Sequence, residues 1–179
     1  MISILARVEG RHGRQVPWQA RGFARLPDRA RGLGEAFRSL RLTFGGDVNT
    51  SVHELGGSGP PLLVLPANGF PSRAYLPCVE FLKRNFRCLG VDLRGNGGDT
   101  PSGVGPDVLH FADDVFRVIQ ALHLTGAYAI GHSVGGTAAL RAQAAHPECL
   151  SAIYCFEPII FNPFIPGVQP SASGMPREF

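Results

Sequence analysis

The sequence predicts an α/β fold in which a mostly parallel β-sheet is flanked by helices. Three short apolar runs, at residues 62–65, 88–91 and 127–130, are typical of strands that are buried on both faces of a parallel sheet. Two segments with helix-compatible patterns, residues 74–86 and 108–122, lie between these runs. Strands that alternate with helices in this way indicate a parallel sheet with helical crossovers.

Composition is typical of a globular protein. The 179 residues suffice for one domain with a sizeable core, and 44% of them are hydrophobic. No apolar run has the length of a membrane span. The formal charge of +3 comes from arginines that precede residue 42, so the remainder has no basic excess and nucleic-acid binding is not indicated.

Four cysteines are scattered through the chain without the spacing of metal ligands, at positions 78, 88, 149 and 155. We expect Cys88 and Cys155 to be buried as small hydrophobic residues in a reducing compartment. The sequence therefore indicates no metal site and no cofactor, and we expect a cytoplasmic location. An organelle is the alternative if the arginine-rich, acid-poor leader is a transit peptide.

The pattern divides the chain into three parts. Residues 1–38 are expected to be an unstructured or transit-like extension, because prolines and glycines interrupt any amphipathic helix there. Residues 39–160 contain the alternating strands and helices, beginning with two strands near residues 39–44 and 49–55. Residues 161–179 form a proline-rich tail without a clear period.

The segment Gly131-His132-Ser133-Val134-Gly135 is a G-x-S-x-G motif between an apolar run and a small-residue helix. A strand that reverses sharply into a helix strains its turn residue, and bulky neighbours would collide there. Gly131 and Gly135 remove those collisions and leave Ser133 Oγ at the carboxyl edge of the sheet. The alternative is a glycine-rich turn whose serine only caps the helix.

Three motifs in order resemble the α/β-hydrolase superfamily, in the group of serine esterases, haloperoxidase-like enzymes and epoxide hydrolases. Residues 68–71 (Asn-Gly-Phe-Pro) lie where the family has His-Gly-x-Pro after its third strand. Residues 92–97 (Asp-Leu-Arg-Gly-Asn-Gly) resemble its D-x-R-G-x-G segment, and the G-x-S-x-G motif follows its fifth strand. The resemblance covers about residues 40–160 and implies the N-terminal portion of the fold, ending after the sixth family strand. The tail resembles the start of the lid region.

The resemblance implies a role for each residue of the motifs. Ser133 would be the nucleophile, and the backbone N–H groups of Val134 and Phe70 would form the oxyanion hole. Gly69 would allow the close approach of the chain to that hole. His132, the variable residue before Ser133 in the G-x-S-x-G motif, would pack away from the nucleophile.

Other polar residues near the motifs are expected to be structural. Asp92 and Arg94 read as a loop pair rather than as an acid and a base. Asp113 and Asp114 fit a solvated or capped helix turn. His53 and the other histidines that precede the motif match no triad position.

The rest of a catalytic triad is missing from the sequence. The family places its acid and then its histidine after the nucleophile. His146 is the only histidine after Ser133, and it lies about 18 Å away along one helix by the rise per residue. Glu157 is a weak candidate for the acid.

We therefore expect a serine hydrolase for a small carboxylic ester or a related acyl substrate that is inactive as this fragment. The alternative function is a non-catalytic α/β remnant that binds another protein. The apolar strand at residues 150–156 would be an open edge, because the next family strand is absent. We expect a partner or a chaperone to bind at that edge.

Overall fold

The computed structural model describes residues 38–44, 49–95 and 109–160, and only the backbone at residues 3–7, 24–25 and 108. The strands of this part form one sheet with the order β1-β8-β7-β5-β6-β4-β3-β2. Their bounds are β1 Ser3–Arg7, β2 Ala24–Arg25, β3 Ser39–Thr43, β4 Asn49–Gly56, β5 Pro61–Leu65, β6 Arg87–Asp92, β7 Tyr128–His132 and β8 Ala152–Phe156.

The four central strands β6, β5, β7 and β8 are parallel, as the apolar runs predict. The outer strands pair antiparallel, so the sheet of the described residues has a parallel centre with antiparallel strands on either side. On one side of the parallel strands, β4 pairs antiparallel with both β3 and β6. Strands β3 and β4 are consecutive, and β4 runs against β6 with an irregularity between Glu54 and Gly56.

Helices cover both faces of the sheet, which confirms the predicted α/β class. One face carries a 3₁₀ helix and α1, and the other carries α2 and α3. Their bounds are Ser72–Tyr75 for the 3₁₀ helix, Leu76–Leu82 for α1, Val108–Ala121 for α2 and Val134–Ala145 for α3. No helix in the described part is long and apolar enough to cross a membrane.

Alternation along β5 divides the core between the two faces. Leu63 and Leu65 belong to the larger cluster with the apolar stripe of α2 and the alanines of α3. Leu62 and Val64 belong to the smaller cluster with Val79 of α1. Because both faces of β5 are buried, its backbone is fixed on every side, and the loop that follows it starts from a rigid position.

The expected open edge on β8 is a prediction that the structure corrects. Strand β1 pairs antiparallel with β8 over five residues, from Ser3 opposite Phe156 to Arg7 opposite Ala152. An apolar strand with unpaired backbone groups is an unfavourable edge, and β1 supplies the missing donors and acceptors. We predicted no strand before residue 39, and β2 also lies there. Residues 8–23 and 26–37, like the tail 161–179, fall outside the described residues.

Candidate active site

Ser133 alone forms the turn between a strand and a helix. Strand β7 ends at His132 and α3 begins at Val134, which confirms the predicted strand, turn and helix. Ser133 has φ 52 and ψ −120, a backbone conformation that is strained for a residue with a side chain. Its N–H donates to Phe156 O at 2.9 Å. None of the hydrogen bonds between described residues involves Ser133 Oγ.

The glycines on either side of Ser133 are required by close contacts. A Cβ atom on Gly131 would lie 2.5 Å from Gly136 Cα, and one on Gly135 would lie 2.5 Å from Pro66 O. Backbone atoms cannot move away as a flexible side chain can. Glycine at these two positions therefore leaves room for the backbone around the turn.

The two predicted oxyanion donors lie after neighbouring strands, β5 and β7. Val134 is the first residue of α3, and the first N–H groups of a helix have no acceptor within it. Phe70 N–H donates to Ala67 O at 3.2 Å and closes a turn in which Gly69 has φ +80. Phe70 N–H therefore reaches an oxyanion only by sharing or releasing its bond to Ala67.

The structure gives a reason for glycine at position 69 that we did not predict. A Cβ atom at this position would meet nothing within 4 Å, so close chain approach does not require a glycine. The positive φ requires it, because a turn of this type places its third residue in a conformation that side chains disfavour.

Tyr75 connects the loop after β5 with the residue before Ser133. Its hydroxyl accepts a hydrogen bond from Ala67 N–H at 3.0 Å and lies 2.7 Å from His132 Nδ1. The His132 ring packs between the Tyr75 ring, edge-on at 6.0 Å, and the Phe156 ring at 5.0 Å. His132 packs as predicted, and it also has a polar partner that we did not predict.

Neither Glu157 nor His146 makes a hydrogen bond with Ser133 within the described part of the chain. Glu157 follows β8 with φ 46 and an exposed side chain, and it makes no hydrogen bond with a described residue. His146 stacks on Phe116 of α2, with ring centroids 3.5 Å apart and planes at 6°. It lies at the far end of α3, about 18 Å from Ser133 by helix rise, as the sequence predicts.

His53 belongs to a buried hydrogen-bonded chain that sequence reasoning missed. Ser39 Oγ lies 2.7 Å from His53 Nδ1, and His53 Nε2 lies 2.9 Å from Asp92 Oδ2. The other oxygen, Asp92 Oδ1, accepts from Ser72 N–H at 2.6 Å. Burial opposes ionisation of Asp92, but the hydrogen bonds from His53 and Ser72 outweigh it and hold its pKa below the usual value.

The hydrogen-bonded series Ser39, His53 and Asp92 resembles a catalytic triad only in its residue types. Both carboxylate oxygens of Asp92 are engaged, and His53 is 2% exposed. The series of hydrogen bonds ends at Ser72, the first residue of the 3₁₀ helix Ser72–Tyr75, which lies just after the Ala67–Phe70 turn. Ser72 Oγ is buried with no partner in hydrogen-bonding geometry among described residues, and it packs where Gly90 lacks a Cβ. The chain therefore anchors the loop region.

Arg94 pairs with Asp114 and not with Asp92. The guanidinium donates to both carboxylate oxygens, at 2.7 and 2.6 Å, and the Asp114 side chain is fully buried. The expectation that Asp114 is solvated is therefore wrong, whereas Asp113 is exposed and pairs with Arg117 at 3.0 Å. Asp114 lies three residues after the buried Phe111. A carboxylate on the apolar face of a helix was the signal that predicts a buried partner.

The cysteines are unpaired, and two are buried as predicted, Cys88 and Cys155. Burial raises the pKa of both thiols, and it raises the pKa of Cys149 to about 11. Cys78 is exposed on α1. Within the described residues no three His, Cys, Asp or Glu side chains are grouped so that they could hold a metal ion.

Comparison with known proteins adds to this geometry. A family model described as alpha/beta hydrolase fold matches residues 60–171, which is more than half of the chain. The chain belongs to the alpha/beta hydrolase family. The resemblance that its motifs predict is thus confirmed.

Relatives of this alpha/beta hydrolase chain include enzymes with named activities. A bifunctional esterase/perhydrolase of Acinetobacter calcoaceticus is 33% identical over 105 residues, which are 55% of this chain and 35% of that protein. A 2-(acetamidomethylene)succinate hydrolase of Mesorhizobium japonicum is 29% identical over 129 residues, which are 72% of this chain and 45% of that protein.

A solved structure agrees with these relatives. The crystal structure of E-2-(acetamidomethylene)succinate hydrolase matches with a TM-score of 0.57 and 30% identity, over 64% of this chain and 42% of that one. The chain spans less than half the length of each of these three proteins.

Proposed function

We propose that this chain carries the nucleophile and the oxyanion donors of a serine hydrolase for a carboxylic ester or a related small acyl substrate. The observation that carries the proposal is the strained backbone of Ser133 at the start of α3, with its hydroxyl unbonded to any described residue. Such strain persists where the surrounding structure imposes it and is common at functional sites. The names of two relatives, a bifunctional esterase/perhydrolase and a 2-(acetamidomethylene)succinate hydrolase, support the substrate class.

In the proposed reaction, Ser133 Oγ attacks the carbonyl carbon of the substrate, and negative charge collects on the carbonyl oxygen. Val134 N–H donates to this oxygen, and the dipole of α3 favours the charge. Phe70 N–H is the second donor once the bond to Ala67 O is shared or released. Collapse of the tetrahedral intermediate expels the alcohol and leaves an acyl ester on Ser133, which water then hydrolyses.

A general base has to accept the proton of the Ser133 hydroxyl. Three of the described histidines have other side-chain partners. His53 is hydrogen-bonded to Asp92, His132 lies against the Tyr75 hydroxyl, and His146 stacks on Phe116. Glu157 remains a weak candidate for the acid, and an acid without a histidine orients nothing. We therefore propose that the described residues supply no base and that this chain alone has no appreciable turnover.

The competing function is a non-catalytic α/β protein that binds a partner. A fluorophosphonate probe distinguishes the two, because it phosphonylates an activated serine and expels fluoride. We expect slow labelling that peptide mass spectrometry maps to Ser133 and that the S133A variant abolishes. S151A is the matched control, since Ser151 is another half-buried serine. Labelling spread over several serines and unchanged by S133A would overturn the proposal.

We propose a cytoplasmic location, with the leader as a transit peptide for an organelle as the alternative. Unpaired cysteines support a reducing compartment. The proposed partner is a small acyl substrate and not a nucleic acid, because the chain outside the leader has no basic excess. Fractionation of cells that express the full-length chain, with a marker enzyme for each compartment, tests this assignment.

A further inference from the structure

We infer that Tyr75 is a positioning residue, which holds the Ala67–Phe70 turn at a fixed distance from the turn at Ser133. The inference rests on the proposed function, because it concerns the two backbone donors of the oxyanion site. One hydroxyl touches both segments: it accepts from Ala67 N–H at 3.0 Å and lies 2.7 Å from His132 Nδ1.

The N–H groups of Phe70 and Val134 lie beyond the hydrogen-bonded part of the sheet, so another contact has to fix their separation. The ladder between β5 and β7 ends at the pair Leu65 and Gly131. Phe70 lies five residues beyond that pair on one segment, and Val134 lies three residues beyond it on the other. Oxyanion stabilisation depends on donors that are already in place when charge develops. A contact between the two segments beyond the ladder therefore bears on catalysis.

Tyr75 is itself rigidly held. It ends the 3₁₀ helix whose first residue, Ser72, donates its N–H to Asp92 Oδ1 at 2.6 Å. Asp92 is in turn bonded to the buried His53. The Tyr75 ring packs against the apolar cluster of Val64 and Val79. Contacts with the sheet thus hold the Tyr75 hydroxyl in place, and the hydroxyl in turn holds the Ala67–Phe70 turn.

Ala67 is the residue at which this support acts on the donor. Its N–H is bonded to Tyr75, and its carbonyl oxygen accepts from Phe70 N–H at 3.2 Å. The orientation of these two peptide groups is coupled through one residue. Loss of the Tyr75 hydroxyl is expected to loosen the position of Phe70 N–H while leaving access to residue 133 unchanged.

The test uses an S133C background, because a thiol at a helix N-terminus ionises and reacts without a separate base. With 4-nitrophenyl acetate, the thiolate sulfur bonds to the carbonyl carbon through an oxyanion, and 4-nitrophenolate leaves. With iodoacetamide, the sulfur displaces iodide from carbon and no oxyanion forms. The ratio of the two rates at the introduced thiol thus isolates oxyanion stabilisation from access.

Cys78 is an internal reference, since it is exposed on the same molecule, and peptide mass spectrometry separates the two thiols. Burial suppresses the reactivity of Cys88, Cys149 and Cys155. In the S133C parent we expect the acylation-to-alkylation ratio at the introduced thiol to exceed that at Cys78 by at least about tenfold, given what oxyanion donors contribute. An equal ratio would mean that the proposed oxyanion site itself is wrong.

Tyr75→Phe in this background removes the hydroxyl and keeps the ring. We expect the ratio at the introduced thiol to fall about fivefold, the factor that one neutral hydrogen bond supplies, with the alkylation rate within about twofold. Tyr128→Phe is the matched control, because the Tyr128 ring packs on Phe86 and its hydroxyl has no described partner. An unchanged ratio in Tyr75→Phe beside a high ratio in the parent would overturn the inference alone.

A second variant guards against a folding defect in the first. His132→Leu removes the other contact of the Tyr75 hydroxyl, and we expect the ratio to fall in the same direction. Each variant is required to show the cooperative thermal transition of the parent by circular dichroism. If both folded variants keep the parent's ratio, Tyr75 does not position the loop.

Discussion

Replacement of Asp114 by asparagine is expected to destabilise the fold strongly. Asp114 is fully buried, and Arg94, which donates to both of its oxygens, is 10% exposed. Asparagine keeps the shape but removes the negative charge to which Arg94 donates two hydrogen bonds. Breaking a buried pair in this way costs about 3–5 kcal/mol in free energy of unfolding.

The neighbouring residue provides a matched control. Asp113 lies on the same helix and also pairs with an arginine, Arg117, at 3.0 Å, but their side chains are 49% and 35% exposed. Surface pairs at this spacing contribute about 0.5 kcal/mol or less, so Asp113→Asn is expected to be nearly neutral.

Urea unfolding followed by circular dichroism measures both variants under the same conditions. We expect a difference of at least about 2 kcal/mol between Asp114→Asn and Asp113→Asn, mainly as a shift of the midpoint. Equal and small effects would refute the reasoning, because they would mean that water reaches the Arg94 pair. A changed slope would instead point to a change in the unfolded state.

Two further predictions concern the sheet. Because hydrogen bonds hold the pKa of Asp92 below its usual value, its carboxylate stabilises the fold fully above about pH 4, and this contribution decreases as the pH falls through the lowered folded-state pKa. Asp92→Asn should therefore lower the melting temperature at pH 7, and this loss should shrink progressively as the pH is lowered below about 4; a loss that stays constant with pH would contradict this. Deletion of residues 1–8 should expose the edge of β8 and cause self-association by light scattering, whereas deletion of residues 1–2 should not; a monomeric product from the longer deletion would contradict the pairing.

Local patterns predicted the central fold because each signal lies within a few residues. The apolar runs of β5, β6 and β7 and the stripe of α2 appear directly in the sequence. The turn at Ser133 was predictable for the same reason, since Gly131 and Gly135 each lie two residues from it.

Long-range pairs were not predictable in this way. His53 meets Asp92 across 39 residues, and Tyr75 meets His132 across 57. No periodicity connects residues so far apart. Strand β1 was missed because its five residues are followed by an arginine-rich segment and its partner, β8, is distant in the chain.

The role of Gly69 shows a different kind of failure. A glycine in a loop satisfies either a close contact or a positive φ, and the sequence does not separate these causes. Only the empty space around its position decided the question.

We propose that Ser133 is a nucleophile and that the described residues do not supply its base. Chemical rescue tests it most directly: hydrolysis of 4-nitrophenyl acetate by the full chain and by S133A is measured with increasing imidazole, after subtraction of the reaction without protein. We expect no difference between the two proteins without imidazole, and a rate that rises with imidazole only when Ser133 is present. Robust hydrolysis without imidazole that S133A abolishes would contradict the missing base, and identical rates at every imidazole concentration would contradict the nucleophile.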